Sequence, residues 1–267
     1  HTAGFPRAPM GPPAWWTPAG RLEQMRSWHL DWTPGSRMEY HPTSAHWVLA
    51  SLIERVTGVD YRDYIQSGIV EPLGLSGLQL GVPPAQQEAI AELRQVGEPP
   101  SAAELEKLFG SAIEWPDTLD DALLAFNDPE VRALGVPGGG GVATAADMAL
   151  FYQALIHNPG KLWDPQILAD AIGTVRVDLP DPTTGVPAHR GLGVVIAGSG
   201  RHAAYRGMGS QVSARAFGHQ GVGGQVAWGD PQSGLSFCLL TNGLDANPLR
   251  SARFCAAANN RAGACVG

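Results

Sequence analysis

Two short stretches of this chain hold residues able to move a proton or to stabilise a developing charge. The first is "MEYHPTSAHWVLASLIERVTG", residues 38–58, in which Tyr40 and His41 stand just ahead of a helical pattern. Read alone, the pair is either the working end of an enzyme or ordinary helix punctuation. The second is "FGHQGVGGQVAW", residues 217–228, a polar pair followed by glycines, read as the start of a strand. Small residues there let a substrate approach the backbone, whose N–H groups can hold an oxyanion. A glycine-rich bulge on an edge strand has the same pattern without any chemistry.

Spacing argues against several other chemistries. "VPGGGGVAT" (136–144) leads into a helix that opens Thr-Ala-Ala, where a phosphate loop needs Gly-Lys-Ser/Thr, so it reads as a tight passage before a helix. The eight histidines are scattered, His41 and His46 lie five apart, and no His-Glu-x-x-His or paired-cysteine spacing occurs; no metal or other cofactor is expected. A net charge of -7 without a basic cluster argues against nucleic acid as a partner. Only Lys107 and Lys161 stand against sixteen arginines, which leaves a catalytic lysine very few places.

Beyond single motifs, "HTAGF", "EYHPTSAHWVLASLIERVTG", "IVEPLGL", "GVPGGGGVATAADMALFYQAL" and "FGHQGVGGQVAWGDPQSGLSFCLLTNG" occur in one order over essentially the whole chain. In this the sequence resembles the serine β-lactamase-like family, which includes class C β-lactamases, penicillin-binding DD-peptidases and related esterases. It is most similar to the esterase-type branch, where a His-x-Gly triplet stands at the strand position that Lys-Thr-Gly fills in β-lactamases. The resemblance implies a serine nucleophile activated by a lysine three residues later, a tyrosine as partner base, and acyl transfer through an acyl-enzyme with two backbone N–H groups as oxyanion hole. Carried over, Tyr40 is the base, His219, Gln220 and Gly221 form the substrate-facing triplet, and the Val222 N–H is half of the oxyanion hole. Many members read Tyr-x-Asn; here Pro42 takes the third place, so His41 or Ser44 is expected to supply part of the asparagine's hydrogen bonding to substrate.

The nucleophile itself is not in the chain. Glu104 stands three residues before Lys107 and Asn158 three before Lys161, so no Ser-x-x-Lys occurs. The expectation is a C-terminal part of a serine hydrolase, inactive alone, whose N-terminal strands and nucleophile helix come from an N-terminal fragment of the same gene product. Its substrate would be a small-molecule ester or amide. Two alternatives stay open: a non-catalytic binding or scaffold member of the same fold, and a β-lactamase or DD-peptidase, the latter weakened because His219 is a poorer cation than lysine at neutral pH. Trp15, Trp16, Trp28, Trp32 and Trp47 fit either aromatic walls near the Tyr40 loop or core packing.

The elements that must position these residues are legible in part. Residues 1–20, rich in Pro, Gly and Trp, read as an irregular segment lying on a scaffold. From Thr43 a helix with an apolar stripe of Val48, Leu49, Leu52, Ile53 and Val56 runs to a Gly58 cap, and a second opens at Asp60 and stops at Pro72. Residues 76–100 read as loops with at most one short helix, around "PAQQEAIAEL". Ser101 and Glu104 make a capping box for a helix ended by Gly110, another covers 118–126, and 144–160 is helical behind a Thr144 cap. After about residue 190 the period becomes that of strands, in "GLGVVIAG", "GGQVAWGD" and "LSFCLLTNG", and a last helix begins at Asn247-Pro248.

Helices first and consecutive antiparallel strands last give an α+β arrangement. The resemblance implies that it is β-lactamase/transpeptidase-like, with residues 1–56 as active-site loop and helix, 57–135 as a helical subdomain, and 136–267 as helix, antiparallel sheet and final helix. No apolar run approaches the ~18 residues that span a bilayer. Cys238 reads as a buried thiol, while Cys255 and Cys265 could form a bridge pinning the tail.

Overall fold

The structure, a computed structural model, describes residues 1–7, 10–109, 119–182, 184–200 and 202–266. Its first segment is extended and runs beside residues 31–41: the carbonyls of His1, Thr2 and Gly4 accept the N–H groups of Glu39 (3.0 Å), Gly35 (2.8 Å) and Asp31 (2.7 Å). The irregular reading of residues 1–20 fails beyond that segment, because α1 (Pro12–Trp15) and α2 (Pro18–Arg26) form there. Each starts with proline, whose fixed φ and missing N–H suit a first helical turn, and Thr17 caps α2 by accepting from the Gly20 N–H at 3.0 Å. Helix α3 (Ser44–Thr57) ends at Gly58 as expected, but its inward face is Ser44, Trp47 and Ala50. Leu49, Leu52 and Val56 of the expected stripe turn outward, Val56 to 82 % exposure.

The α2–α3 contact is built on a buried charge. Arg21, only 3 % exposed, meets Glu54 with Nη2 at 2.7 and 2.5 Å from the two carboxylate oxygens, and its Nη1 donates to the Trp15 carbonyl at 3.0 Å. Its guanidinium lies 5.3 Å from the centre of the Trp47 ring and 5.9 Å from that of Tyr61, so the cation is held between apolar faces and one anion. Trp47, Ala50, Tyr61, Leu134 and Val136 form the core around it.

Tyr61 opens α4 (Tyr61–Ile65), capped by Asp60 and continued by a π-helical turn, Gln66–Val70. Its hydroxyl donates to the carbonyls of Leu134 (2.9 Å) and Gly135 (3.0 Å), joining this helix to a distant loop. Next come β1 (Gln79–Leu80), a 3-10 turn at Pro84–Gln86 where a short helix around "PAQQEAIAEL" was expected, and β2 (Arg94–Val96). Helix α5 (Ala102–Phe109) carries the capping box, with the Ser101 N–H donating to Glu104 at 2.9 Å and the Glu104 N–H returning to Ser101 at 3.3 Å; Gly110 lies outside the described residues. Helices α6 (Leu119–Leu124) and α7 (Pro129–Leu134) precede β3 (Gly141–Val142), which pairs antiparallel with β1.

The C-terminal half is a sheet between helices. Helix α8 (Ala145–His157), capped by Thr144 through the Asp147 N–H at 3.0 Å, and α9 (Pro165–Gly173) precede β4 (Val195–Ile196), β5 (Phe217–Gln220), β6 (Val226–Asp230) and β7 (Leu235–Leu239). These strands form one antiparallel sheet in sequential order. Alternation divides its faces: Phe217 and Ala227 pack with Tyr152, Leu155 and Ile156 of α8, while Val226 and Trp228 face Met208 and Ala262 of the final helix. That helix, α10 (Pro248–Gly263), follows β8 (Gly243–Asp245), which leaves the sheet and pairs parallel with β2. Trp228 donates from Nε1 to the Asn259 side chain at 2.7 Å, fixing α10 over β6.

The bridge between Cys255 and Cys265 does not form; both thiols are free, as is Cys238. The two lie ten residues apart along one helical path, roughly 15 Å at 1.5 Å per residue, beyond disulfide reach. Cys255 instead donates to the Gly224 carbonyl at 2.9 Å. Replacing Glu54 by alanine leaves the Arg21 charge buried and unpaired and is expected to cost about 3–5 kcal/mol of stability. Urea unfolding of the two proteins measures it; a loss below about 1 kcal/mol would class the pair with ordinary surface bridges.

Candidate active site

Tyr40 is half-buried at the end of the loop preceding α3, and three segments converge on it. The His1 ring lies 4.7 Å from its ring centre, the His219 ring 5.7 Å, and the Arg190 guanidinium carbon 5.0 Å. His219 thus comes beside Tyr40 although 179 positions separate them in the chain.

The loop is clamped from behind. His41, fully buried, contributes Nε2–H to the Phe5 carbonyl at 2.7 Å, and its ring meets Phe5 edge-on at 4.9 Å. Ser44, also fully buried, donates to the carbonyls of Arg7 (2.8 Å) and Pro6 (3.2 Å). The substrate-binding role expected for these two is corrected on this ground: no surface of either is open, and their polar groups hold the first segment against α3. His46, one turn into α3, packs on the glycine loop at 136–141. Gly138 there has φ +87, and a Cβ on it would stand 2.5 Å from His46 Nδ1, which explains the tight passage read from the sequence.

The second stretch sits at the end of a strand, where its start was expected. His219 and Gln220 close β5, and residues 221–225 turn the chain into β6, with the Gly221 N–H donating to the Gln225 carbonyl at 2.7 Å. Gly223 (φ +78) and Gly224 (φ +88) take backbone conformations that side chains disfavour, which is why the turn is glycine-rich. At its tip Val222 is 53 % exposed, and no acceptor among the described residues takes its N–H. Gln220 is exposed and lies across Gly207. β4 reaches only Phe217 and Gly218, so beyond them β5 has a strand partner on one side alone.

Hydrogen bonding fixes the state of His219. Nδ1 lies 2.6 Å from the Gln220 carbonyl, which only accepts, so Nδ1 carries the proton. Nε2 lies 3.0 Å from Nη1 of Arg190, which only donates, so Nε2 offers its lone pair. The ring is therefore neutral, and burial together with Arg190 and His46 holds its pKa below the ordinary 6.5. Burial raises the Tyr40 phenol above 10, and Arg190 opposes this without reversing it. Arg190 is a site residue that sequence reading missed. It sits in "AHRGLGVV", and nothing local separates it from fifteen other arginines. Its backbone is anchored through its N–H to the Val177 carbonyl (2.9 Å) and by the Arg176 N–H to its own carbonyl (2.7 Å), beside His189 in the left-handed region at φ 51.

A cleft of about 720 Å³ opens on another flank of the hairpin, lined among others by Gln220, Val222, Gly224, Leu244, Ser251 and Cys255; Tyr40, Arg190 and His219 are not in its lining. The tryptophans do not wall Tyr40. Trp47 is core, Trp15 stacks on it at 6.2 Å, Trp28 packs on Phe5 and Trp32 on His41, while Trp16 is half-exposed. No described helix is long and apolar enough to cross a membrane.

Comparisons with known proteins agree with this architecture. The profile of the Beta-lactamase family matches residues 1–259. The chain is 30 % identical over 221 residues to an esterase/beta-lactamase, LipL, of Mycobacterium tuberculosis, covering 77 % of this chain and 48 % of that protein; the chain thus spans about half the length of that curated relative. A penicillin-binding protein homologue from Caulobacter crescentus superposes with TM-score 0.70 at 26 % identity, over 97 % of this chain and 69 % of that one. EstA from Arthrobacter nitroguajacolicus superposes with TM-score 0.71 at 20 % identity, over 100 % and 72 %, a likeness of fold.

The depressed pKa of His219 and of His46 predicts a pH dependence. Below the ordinary imidazole value of about 6.5 the unfolded chain takes up protons that the folded chain refuses, so stability falls as pH drops from about 7 through that value. His219→Gln removes one such group, and urea midpoints between about pH 7 and 5 should fall less steeply for it than for the parent.

Proposed function

Because the chain belongs to the Beta-lactamase family and has its β-lactamase/transpeptidase-like α+β fold, we propose that it is the larger, C-terminal part of a serine hydrolase that transfers acyl groups from small esters or amides, esterase-fashion. The single observation that carries this reading is the convergence of Tyr40 on His219 at 5.7 Å, at the end of a strand whose next turn offers the unclaimed Val222 N–H. A base, a polar strand triplet and an oxyanion donor are the parts acyl transfer needs apart from the nucleophile. In this reading a serine, with a lysine three residues on, comes from sequence upstream of His1. Tyr40 takes the serine proton as the hydroxyl attacks the substrate carbonyl, and the Val222 N–H binds the oxyanion. The intermediate collapses by breaking the bond to the alcohol or amine, which leaves with the proton from Tyr40. Water then attacks the acyl-enzyme, giving its proton to Tyr40 and releasing the acid and the free serine. The raised Tyr40 pKa fits this division of labour, since Arg190 alone leaves the phenol protonated and a second cation is required.

One observation favours a second reading: these 267 residues hold no Ser-x-x-Lys. A natural protein without that motif upstream would be a non-catalytic binding member of the fold. The full natural coding sequence, together with fluorophosphonate labelling of its product, separates the two. If labelling and turnover of a chromogenic short-chain ester are found, Tyr40→Phe should lower kcat by about 10²–10⁴-fold, the range for losing a general base. An unlabelled full-length protein without esterase turnover would overturn the hydrolase reading.

A further inference from the structure

The family pattern leaves Arg190 without a role, yet its side chain touches both members of the Tyr40–His219 pair. Its Nη1 donates to His219 at 3.0 Å, and its guanidinium carbon stands 5.0 Å from the Tyr40 ring centre. Its Nε is buried with no partner among the described residues, and the group's contacts with these two rings fix its place. The α-amino group of His1, the His46 ring and Asp181 are further titratable groups that act on the cluster.

We propose that Arg190 is the positioning residue of the site: by donating to Nε2 it locks His219 as the neutral Nδ1–H tautomer, and its fixed charge biases Tyr40 toward phenolate. Arginine suits both tasks, because its charge persists at every working pH and it cannot accept a proton from the histidine. His219 then cannot be the cation of the strand triplet. It is a hydrogen-bond relay between the Gln220 carbonyl and Arg190, and the positive charge of this corner belongs to a residue 29 positions earlier. The catalytic consequence rests on the hydrolase reading, whereas the protonation states do not.

The test uses the natural full-length protein without substrate. Tyrosinate absorbance is titrated in the parent and in Arg190→Met, each against its Tyr40→Phe counterpart so that Tyr40 is isolated, and long-range proton–nitrogen spectra report the His219 tautomer. Arg190→Met should raise the pH at which Tyr40 ionises and let His219 populate both tautomers. Each unit of upward shift removes about tenfold of the phenolate at neutral pH, so any esterase kcat should fall by that factor with its acid limb displaced equally, and KM should change less. Arg190→Gln keeps a donor for His219 without the charge; it should preserve the tautomer while shifting Tyr40, and it decides the charge effect if Arg190→Met does not fold. An unchanged Tyr40 titration in folded Arg190→Gln, or a retained Nδ1–H tautomer in folded Arg190→Met, overturns the proposal. A protein with no hydrolase activity that still shows both spectroscopic changes upholds the assignment of Arg190 and refutes only the hydrolase reading.

Discussion

Arg21 brings a full charge into a core of tryptophan and tyrosine, and the geometry of the N-terminal half follows from how that charge is satisfied. Guanidinium in an apolar interior is tolerated only with a well-placed anion, which Glu54 supplies to Nη2 while the Trp15 carbonyl takes Nη1; Nε has no partner among the described residues. Because the acceptors come from α3 and from the end of α1, the pair sets how both helices lie against α2. Once α3 is fixed, Ser44 and His41 at its start can reach the carbonyls of the first segment, and the Tyr40 loop is pinned between them. A charge-assisted hydrogen bond is also more directional than apolar packing, which tolerates rotation about a helix axis. The position of a phenol in the site is thus inherited from a charge deep in the neighbouring core.

The other half reaches the same corner through a sheet held on both faces. Phe217 packs on α8 while Trp228 is tied to α10, so β5 and β6 cannot slip by one residue without exchanging their buried sets. His219 and Gln220 extend beyond the reach of β4, leaving the strand's end accessible while its base is rigid. Rigid support with an open tip is what an oxyanion donor needs, since it must not reorganise as charge develops. The hydrogen bond from Cys255 to Gly224 and the close approach of Ser251 brace the far side of the same turn.

Features governed by neighbours in sequence were legible: the Thr144 and Asn247 caps, the Ser101–Glu104 box, the Gly58 stop and the consecutive strands all depend on residues within a few positions. Features decided by tertiary contact were not. The inward face of α3 follows Trp47 and Ala50 because the Arg21 core lies on that side, although Leu49, Leu52 and Val56 make the more apolar stripe. Pro12 and Pro18, which read as irregular chain, are first helical residues, the second of them behind a Thr17 cap. In the candidate site, the sequence pattern marked Tyr40 and His219, which the structure brings side by side, and Val222, which stands exposed at the next turn, but Arg190 acquires its place only where three remote segments meet. His41 and Ser44 carry chemically able groups, and burial gives those groups structural acceptors.

The parallel pairing of β2 with β8 joins residues 94–96 to residues 243–245, more than half the length of the chain apart. The Asn242 side chain adds a donor to the Glu92 carbonyl at 2.9 Å, and the Arg94 N–H reaches the Asn242 carbonyl at 2.8 Å. Contacts of such separation carry the largest loop-closure entropy and form late in folding. During synthesis the early helices can assemble while the sheet is still unmade, but this clasp must wait until residue 245 of 267 has left the ribosome. The topology therefore places this clasp after the early helices in the order of assembly.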